Sequence, residues 1–197
     1  MSAAASSLEV LRGAGRTPVA WKNGGGFTRE VAVHPHGSNL EGFEWRVSIA
    51  EIRAPGPFSL FPGIERRMAV INGRLSLAID GRPAITLTPE SSALEFPGEA
   101  PVFAEPLGAP VTDLNVMTRR ARCRASLRLE SARAAALLEP RADTTLIVAL
   151  AELLVRREQT ELTLAALDAV RIGRGPGCTI TARSGSGAYH LIEIFQP

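Results

Sequence analysis

An internal repeat of short β-type segments is the feature that most constrains how this chain can fold. When the sequence is shifted by 77 residues, residues 69–100 lie over residues 146–177, and Asp113 then falls on His190 without a gap. Any two alternating segments match somewhere, but a gap-free match of almost 50 residues favours a duplication. Two similar β units predict a duplicated antiparallel barrel or sandwich, with Asp113 and His190 at equivalent strand positions.

Strand signals cover most of the chain, and turn-forming dipeptides separate them. Asn-Gly at 72–73 and Asp-Gly at 80–81 accept the positive φ of tight hairpins. The alanine-rich segment 131–140 is the one helix candidate, so we expect an all-β chain with one short helix at most. Alternating or β-branched runs predict strands at 43–52, 66–71, 74–80, 84–89, 111–117, 126–131 and 144–158.

The length and composition limit the domain organisation and the partners. A chain of 197 residues is long enough for two small barrels, and we expect one in residues 1–125 and the other in 126–197. The sequence does not decide whether the two barrels exchange strands. The net charge is only +2, and the arginine cluster at 119–124 lacks interleaved aromatics, which argues against a nucleic-acid partner. No stretch approaches the ~20 apolar residues of a membrane span, and residues 1–15 lack the pattern of a signal peptide. A soluble cytoplasmic protein without a membrane partner is the expectation.

Signals for a metal or another cofactor are weak. The two cysteines, Cys123 and Cys178, lack the CxxC spacing of a metal knuckle. His34 and His36 have the spacing of a metal pair on a strand, but the proline between them indicates an exposed loop, and no glutamate follows at three or four positions. We therefore expect no metal and no cofactor.

The segment WKNGGGFTRE at 21–30 places three glycines beside Lys22, the only lysine in the sequence. A phosphate-binding loop would need a helix after the glycines, whereas a strand follows here. We interpret the run as a tight turn or bulge that also brings Lys22 and backbone N–H groups to a ligand. A lysine withdrawn from water needs a carboxylate or carbonyl partner, and Glu30 and Asp113 are the expected ones.

Strand alternation collects polar side chains on one face of three predicted strands. Thr28 shares a face with Glu30, and Arg46 shares one with Ser48. The third strand contributes the face that begins at Asp113 and includes Asn115, Met117 and Arg119. On a covered face these groups must pair with one another or with a ligand, and arginine suits a carboxylate ligand. A set of surface ion pairs is the alternative that alternation leaves open.

Three segments together closely resemble the HutD/Ves family: 21–30, 45–77 (WRVSIAEIRAPGPFSLFPGIERRMAVINGRLSL) and 111–120 (VTDLNVMTRR). The resemblance implies a bicupin fold, which is a jelly-roll barrel duplicated in one chain. It also implies a link to histidine utilisation, with formylglutamate or urocanate as proposed ligands, but no settled enzymatic activity. The common cupin metal motif would fall near 58–66, where this chain has no histidine, which agrees with a metal-free pocket.

The leading hypothesis is a protein that binds a small carboxylate and modulates histidine utilisation. A homodimer is consistent with this hypothesis. One alternative is a metal-free isomerase or lyase, with Glu30 or Asp113 as general base and Lys22 or an arginine as electrophile. Another is a protein-interaction module that uses Phe58 and Phe61 as an exposed apolar rim. The candidate ligand-binding residues, from alternation and from the resemblance, are Lys22, Asn23, Thr28, Glu30, Arg46, Ser48, Phe61, Arg66, Asp113, Asn115, Met117 and Arg119.

Overall fold

The computed structural model describes residues 8–132, 135–183 and 187–197, and these residues are all strand, turn or loop. They therefore include no helix of the length and apolarity that a membrane crossing requires. The strands are β1 (Leu8–Leu11), β2 (Pro18–Ala20), β3 (Gly26–His34), β4 (Trp45–Ile52), β5 (Gly56–Pro57), β6 (Ile64–Asn72), β7 (Leu75–Ile79), β8 (Ile85–Leu87), β9 (Leu94–Pro97), β10 (Val102–Pro106), β11 (Val111–Arg119), β12 (Arg124–Ser131), β13 (Ala136–Leu138), β14 (Thr144–Ala149), β15 (Leu153–Arg157), β16 (Thr160–Leu164), β17 (Ala169–Ile172), β18 (Cys178–Ala182) and β19 (Ala188–Phe195).

The chain divides into two compact units. Arg16–Arg124 form one, which we call the N-terminal barrel; the described residues of Met1–Gly15 and Ala125–Pro197 form the other, which we call the C-terminal barrel. The N-terminal barrel has a six-stranded sheet, in the order β2-β3-β4-β11-β6-β9, and a four-stranded sheet, β5-β10-β7-β8. The C-terminal barrel has the sheets β1-β17-β14-β19-β12 and β13-β18-β15-β16.

The two units repeat the same strand order, which confirms the predicted duplication. The run β4-β11-β6-β9 corresponds to β12-β19-β14-β17, and β5-β10-β7-β8 corresponds to β13-β18-β15-β16. The units differ at their edges: β2 and β3 extend the larger sheet of the N-terminal barrel beside β4, whereas β1 extends that of the C-terminal barrel beside β17. Two sheets of antiparallel strands in each unit form the jelly-roll architecture expected from the sequence.

Two local predictions were wrong. The helix candidate at 131–140 contains β13 instead, and β13 pairs with β18 over Ala136–Leu138; residues 133 and 134 lie outside the described part. Sheet pairing has overridden the helix propensity of a short alanine-rich segment. The single strand predicted at 144–158 is two strands, β14 and β15, which lie in different sheets.

The register of the repeat also differs from the gap-free alignment by one residue. Asp113 pairs with Val70 in the N-terminal barrel, and the matching position in the C-terminal barrel is Leu191, which pairs with Ile147. The shift occurs because the pairing of β11 with β6 contains a bulge immediately before Asp113. The predicted equivalence of Asp113 and His190 is therefore wrong.

The interiors of the two barrels are filled differently. One apolar cluster that includes Ile147, Leu153, Tyr189 and Leu191 fills the C-terminal barrel. Among the described residues of the N-terminal barrel, one apolar cluster lies around Met68 and another around Met117. Its inner sheet face also carries buried polar residues, namely Ser48, Arg66, Asp113 and Asn115. These four residues lie close together in register on neighbouring strands, so the N-terminal barrel has a polar face that can contact a polar ligand.

We predict that His190 makes the stability of the protein depend on pH. His190 is 2% exposed, and burial lowers its pKa from 6.5 to about 4. Between these two pH values the imidazole of His190 is protonated in the unfolded chain and neutral in the folded protein. A fall in pH therefore stabilises the unfolded chain, so the stability is highest above about pH 6.5 and decreases as the pH falls toward 4. Relative to His190→Leu, the wild type should lose about 3 kcal/mol of unfolding free energy over that range.

Chemical denaturation of both proteins at a series of pH values measures this difference. The comparison with the variant is needed because burial raises the pKa of Asp113, whose titration changes stability in the opposite direction over the same range. A difference between wild type and variant that does not change with pH would contradict the assignment.

Candidate functional site

A cavity of about 740 Å³ lies within the N-terminal barrel. Strands β3, β4, β6 and β11 supply its polar wall, and the end of β2, the turn at 21–23, the loop at 38–40 and the segment at 57–61 supply the rest. Eleven of the twelve candidate residues line it: Lys22, Asn23, Thr28, Glu30, Arg46, Ser48, Phe61, Arg66, Asp113, Asn115 and Met117.

The cavity wall follows from strand pairing. Glu30 lies opposite Ser48 across β3 and β4, and Ser48 lies opposite Asn115 across β4 and β11. Residues that are directly opposite in antiparallel strands direct their side chains to the same face of the sheet. Arg66 joins the same face from β6, where it lies opposite Met117.

Three side chains form a hydrogen-bonded chain at the base of the wall. Arg66 Nη2 donates to Asn115 Oδ1 at 2.8 Å, and Asn115 Nδ2 donates to Asp113 Oδ2. All three residues are buried, with 7% or less of their surface exposed. The central amide satisfies a cation with its oxygen and a carboxylate with its nitrogen, so its orientation is fixed by both neighbours.

Burial shifts the protonation of both ends of this chain. Desolvation raises the pKa of Asp113 from 3.8 to about 7, although Arg66 and the Asn115 hydrogen bond oppose the shift. Desolvation likewise lowers the pKa of Arg66 to about 10, with Asp113 opposing it. A titratable carboxyl group with a pKa near neutrality in a cavity is typical of a functional site.

Aromatic rings stabilise the buried Arg66 cation. Its guanidinium carbon lies 4.9 Å from the ring centre of Phe58, 5.0 Å from that of Phe96 and 5.9 Å from that of Phe61. Such contacts are worth about 0.5–2 kcal/mol each, more where water is excluded. Phe58 and Phe61 are half-buried and pack against the two apolar clusters. They do not form the exposed rim on which the interaction-module alternative depends.

The more exposed part of the wall carries a second set of charges. Arg46 Nε donates to Glu30 Oε2 at 2.9 Å. Lys22 is exposed on the wall of the same cavity. Glu30 and Asp113, the carboxylates expected to pair with Lys22, have Arg46 and Asn115 as their partners instead. The expected ion pair of Lys22 was therefore wrong, and Lys22 lines a cavity to which two other cations, Arg46 and Arg66, also contribute.

The glycine run is a turn that joins β2 to β3. Trp21 N–H donates to the Gly26 carbonyl at 2.9 Å, and Gly25 N–H donates to Asn23 Oδ1 at 3.0 Å. Gly24 has a φ of +70°, which a side chain would disfavour. The turn also brings Trp21 Nε1 to Thr28 Oγ1 at 2.8 Å, so the indole forms part of the wall.

One expected ligand-binding residue lies outside the cavity, and one loop that lines the cavity could not be identified from the sequence. Arg119 does not line the cavity, because its guanidinium donates to the carbonyls of Glu41 and Phe43. His34 is also outside it and stacks on Trp45 with ring centres 5.7 Å apart. The loop at 38–40 lines the cavity but has no periodicity from which its position could be predicted.

The donor atoms of the cavity do not fit a cupin metal centre. The lining residues include no histidine, and the two carboxylates, Glu30 and Asp113, already accept hydrogen bonds from Arg46 and Asn115. Within the described residues, no group of three histidine, cysteine, aspartate or glutamate side chains is placed to hold an ion. A cupin-type metal site needs neutral imidazoles with a carboxylate.

We therefore expect the purified protein to bind no transition metal in stoichiometric amount. Elemental analysis of protein that has not been exposed to chelators measures this directly. One iron, zinc or manganese ion per chain would overturn the prediction.

Gly26 should be intolerant of any side chain. A Cβ atom at this position would lie 2.2 Å from the Glu51 carbonyl oxygen in the paired strand β4. We predict that Gly26→Ala lowers the free energy of unfolding by about 3 kcal/mol, because backbone must move to relieve the overlap. Gly15→Ala is the matched control, since no heavy atom lies within 4 Å of the added carbon. Denaturant titration of both variants tests the contrast, and equal stabilities would contradict it.

Comparison with solved structures identifies the class of protein. The chain has a TM-score of 0.87 with a conserved protein of unknown function from Pseudomonas aeruginosa PAO1, at 28% identity, covering 96% of this chain and 100% of that one. An oxalate decarboxylase from Bacillus subtilis matches at a TM-score of 0.66 and 11% identity, covering 95% of this chain and 77% of that one, which shows a likeness of fold alone. The chain thus has a cupin-like β fold.

The family follows from the sequence. The HutD family model matches residues 14–189, and the chain belongs to that family. The solved structure of HutD from Pseudomonas fluorescens SBW25, described as a formate condition, matches at 30% identity and a TM-score of 0.82, covering 97% of this chain and 100% of that one.

Curated relatives agree with this assignment over shorter lengths. An uncharacterized 21.2 kDa protein in the hutC 3' region of Pseudomonas putida is 41% identical over 123 residues, which are 62% of this chain and 64% of that protein. Protein Ves of Citrobacter koseri is 40% identical over 111 residues, which are 55% of this chain and 56% of that protein. The chain thus spans less than two thirds of the length of these curated relatives.

Proposed function

We propose that the N-terminal barrel binds a small carboxylate and that the protein thereby modulates histidine utilisation. The observation that carries this proposal is the composition of the cavity wall. Three cations, Lys22, Arg46 and Arg66, face two carboxylates that already have hydrogen-bond donors. The cavity therefore has positive charge in excess, and an anion is the ligand that balances it.

The shape and the donor groups suit a carboxylate of small size. A cavity of about 740 Å³ lies in the range that small-molecule sites occupy. The Arg46 side chain is 15% exposed, so its guanidinium is held largely away from water, where a hydrogen bond to an anion is strong. Lys22 adds a mobile ammonium group at the same wall.

Family membership supports the physiological link. Membership of the HutD family suggests a role linked to histidine utilisation. We propose N-formylglutamate and urocanate as candidate ligands, since both are carboxylates, and cytoplasmic action without a nucleic-acid or membrane partner. Formation of a homodimer is compatible with this proposal.

A thermal-shift screen of histidine-pathway intermediates and related carboxylates tests the proposed function. A carboxylate at 100 times its Kd should stabilise the folded protein by about 2.7 kcal/mol. Stabilisation by uncharged analogues of the same compounds, and none by the carboxylates, would contradict the proposal.

Lys22→Ala should weaken the binding of such a carboxylate about tenfold and leave thermal stability nearly unchanged. The side chain is exposed and lines the cavity, so its removal takes away a ligand contact and little packing. Arg29→Ala is the matched control: it also removes one positive charge, but from the face of β3 opposite to the cavity, where Arg29 lies over the Phe27 ring. Calorimetric titration compares the two, and equal losses of affinity would refute a specific role for Lys22.

A second candidate function is catalysis without a metal ion. The pKa of about 7 at Asp113 favours it, because a general acid or base works best with a pKa near the working pH. Long incubation of N-formyl-L-glutamate or urocanate with the protein, followed by mass spectrometry, distinguishes the two functions. Conversion that Asp113→Asn abolishes would establish an enzyme, whereas an unchanged ligand that binds with saturation favours a binding protein.

A further inference from the structure

Only one of the two carboxylate oxygens of Asp113 accepts a hydrogen bond from the described residues. Its Oδ2 accepts the hydrogen bond from Asn115, whereas Oδ1 is buried and has no hydrogen-bond partner among the described residues. Asp113 as a whole is 1% exposed and lines the cavity. A carboxylate oxygen withdrawn from water normally has a donor, so this unused acceptor calls for an explanation.

No side chain of the described residues on the neighbouring strands forms a hydrogen bond to this oxygen. Ala50 lies opposite Asp113 on β4 and Val70 lies opposite it on β6, and neither side chain can donate. Arg66 directs Nη2 to Asn115, and its Nε is also buried without a partner in the described part of the chain. The backbone N–H of Asp113 is near enough to favour the charged form of its carboxyl group, but among the described residues no donor has hydrogen-bond geometry to Oδ1.

We propose that Asp113 Oδ1 is the acceptor for an N–H group of the ligand, and that the cavity therefore selects carboxylates that also carry such a donor. The ligand class is an acid with an amide or ring N–H, such as an acylated amino acid or a nitrogen heteroaromatic acid. Its carboxylate binds toward Lys22 and Arg46, away from the negative charge of Asp113. This inference rests on the proposed function and specifies the ligand of the same site.

The reason for selectivity is the penalty of leaving a buried acceptor unpaired. An acid of the same shape without the N–H would bring an oxygen lone pair against Asp113 Oδ1, so repulsion would add to the missing hydrogen bond. Sites built around a ligand hydrogen bond reject analogues that lack it far more strongly than they reject a change of one methylene.

A matched pair of probes tests the inference: N-acetyl-L-glutamate and its ester analogue, (S)-2-acetoxyglutarate, which replaces the amide N–H by oxygen. Calorimetric titration is done at about pH 8, above the pKa of Asp113, so that the carboxylate is ionised. We expect the wild type to bind the amide at least about tenfold more tightly than the ester.

Asp113→Asn should abolish or reverse this preference while it preserves the shape of the wall. Asn115 Nδ2 still needs an acceptor, since Arg66 holds its oxygen, so the new amide must turn its own oxygen toward Asn115. Its NH2 group then takes the place of Oδ1 and opposes the N–H of the probe. Thr112→Val is the control on the other face of β11 and should keep the preference.

A second variant removes the acceptor altogether. Asp113→Leu introduces the residue type that Leu191 provides at the matching position of the C-terminal barrel, where it packs in the core. Its ratio of affinities for the two probes should fall to about one.

The outcomes separate this inference from the proposed function. Equal affinity of the wild type for amide and ester, or a preference that survives in Asp113→Asn, overturns the role of Asp113 and leaves carboxylate binding in place. Failure of both probes to bind contradicts the proposed function, and the inference with it. The expected result is a preference that the wild type and Thr112→Val share and that both Asp113 variants lose.

Discussion

The buried chain from Arg66 through Asn115 to Asp113 is the interaction on which the character of the N-terminal barrel depends. A guanidinium and a carboxyl group inside a barrel are expensive to desolvate, and the fold compensates with one bridging amide and three phenylalanine rings. The compensation is incomplete, because Arg66 Nε and Asp113 Oδ1 have no partner within the described residues. These unpartnered groups in a cavity wall support our proposal that the cavity binds a polar ligand.

Duplication explains how one barrel can accept this arrangement. At the positions that correspond to Val70 and Asp113, the C-terminal barrel has Ile147 and Leu191, and both belong to one apolar cluster. Closely packed apolar residues fill the part of that unit that this cluster occupies, although the Arg157 side chain is also buried in the unit. The same strand order thus supports an apolar residue in one unit where the other unit has a polar one that lines a cavity.

The sequence predicted what depends on local periodicity and not what depends on tertiary distances. Alternation placed Thr28 with Glu30 on one face because the two-residue period of a strand is a local property. It also placed Arg119 with Asp113, but Arg119 ends its strand and turns to the carbonyls of a neighbouring loop. The partner of Glu30, which is Arg46 and not Lys22, depends on a distance across strands that periodicity does not give.

A crystal structure of the protein with N-formyl-L-glutamate at saturating concentration tests the central claim most directly. We predict ligand density in the N-terminal barrel, with a carboxylate oxygen in hydrogen-bonding distance of Lys22 or Arg46 and the amide N–H directed at Asp113. Ligand bound outside that barrel, a carboxylate placed against Asp113, or a cavity that holds only water would contradict it.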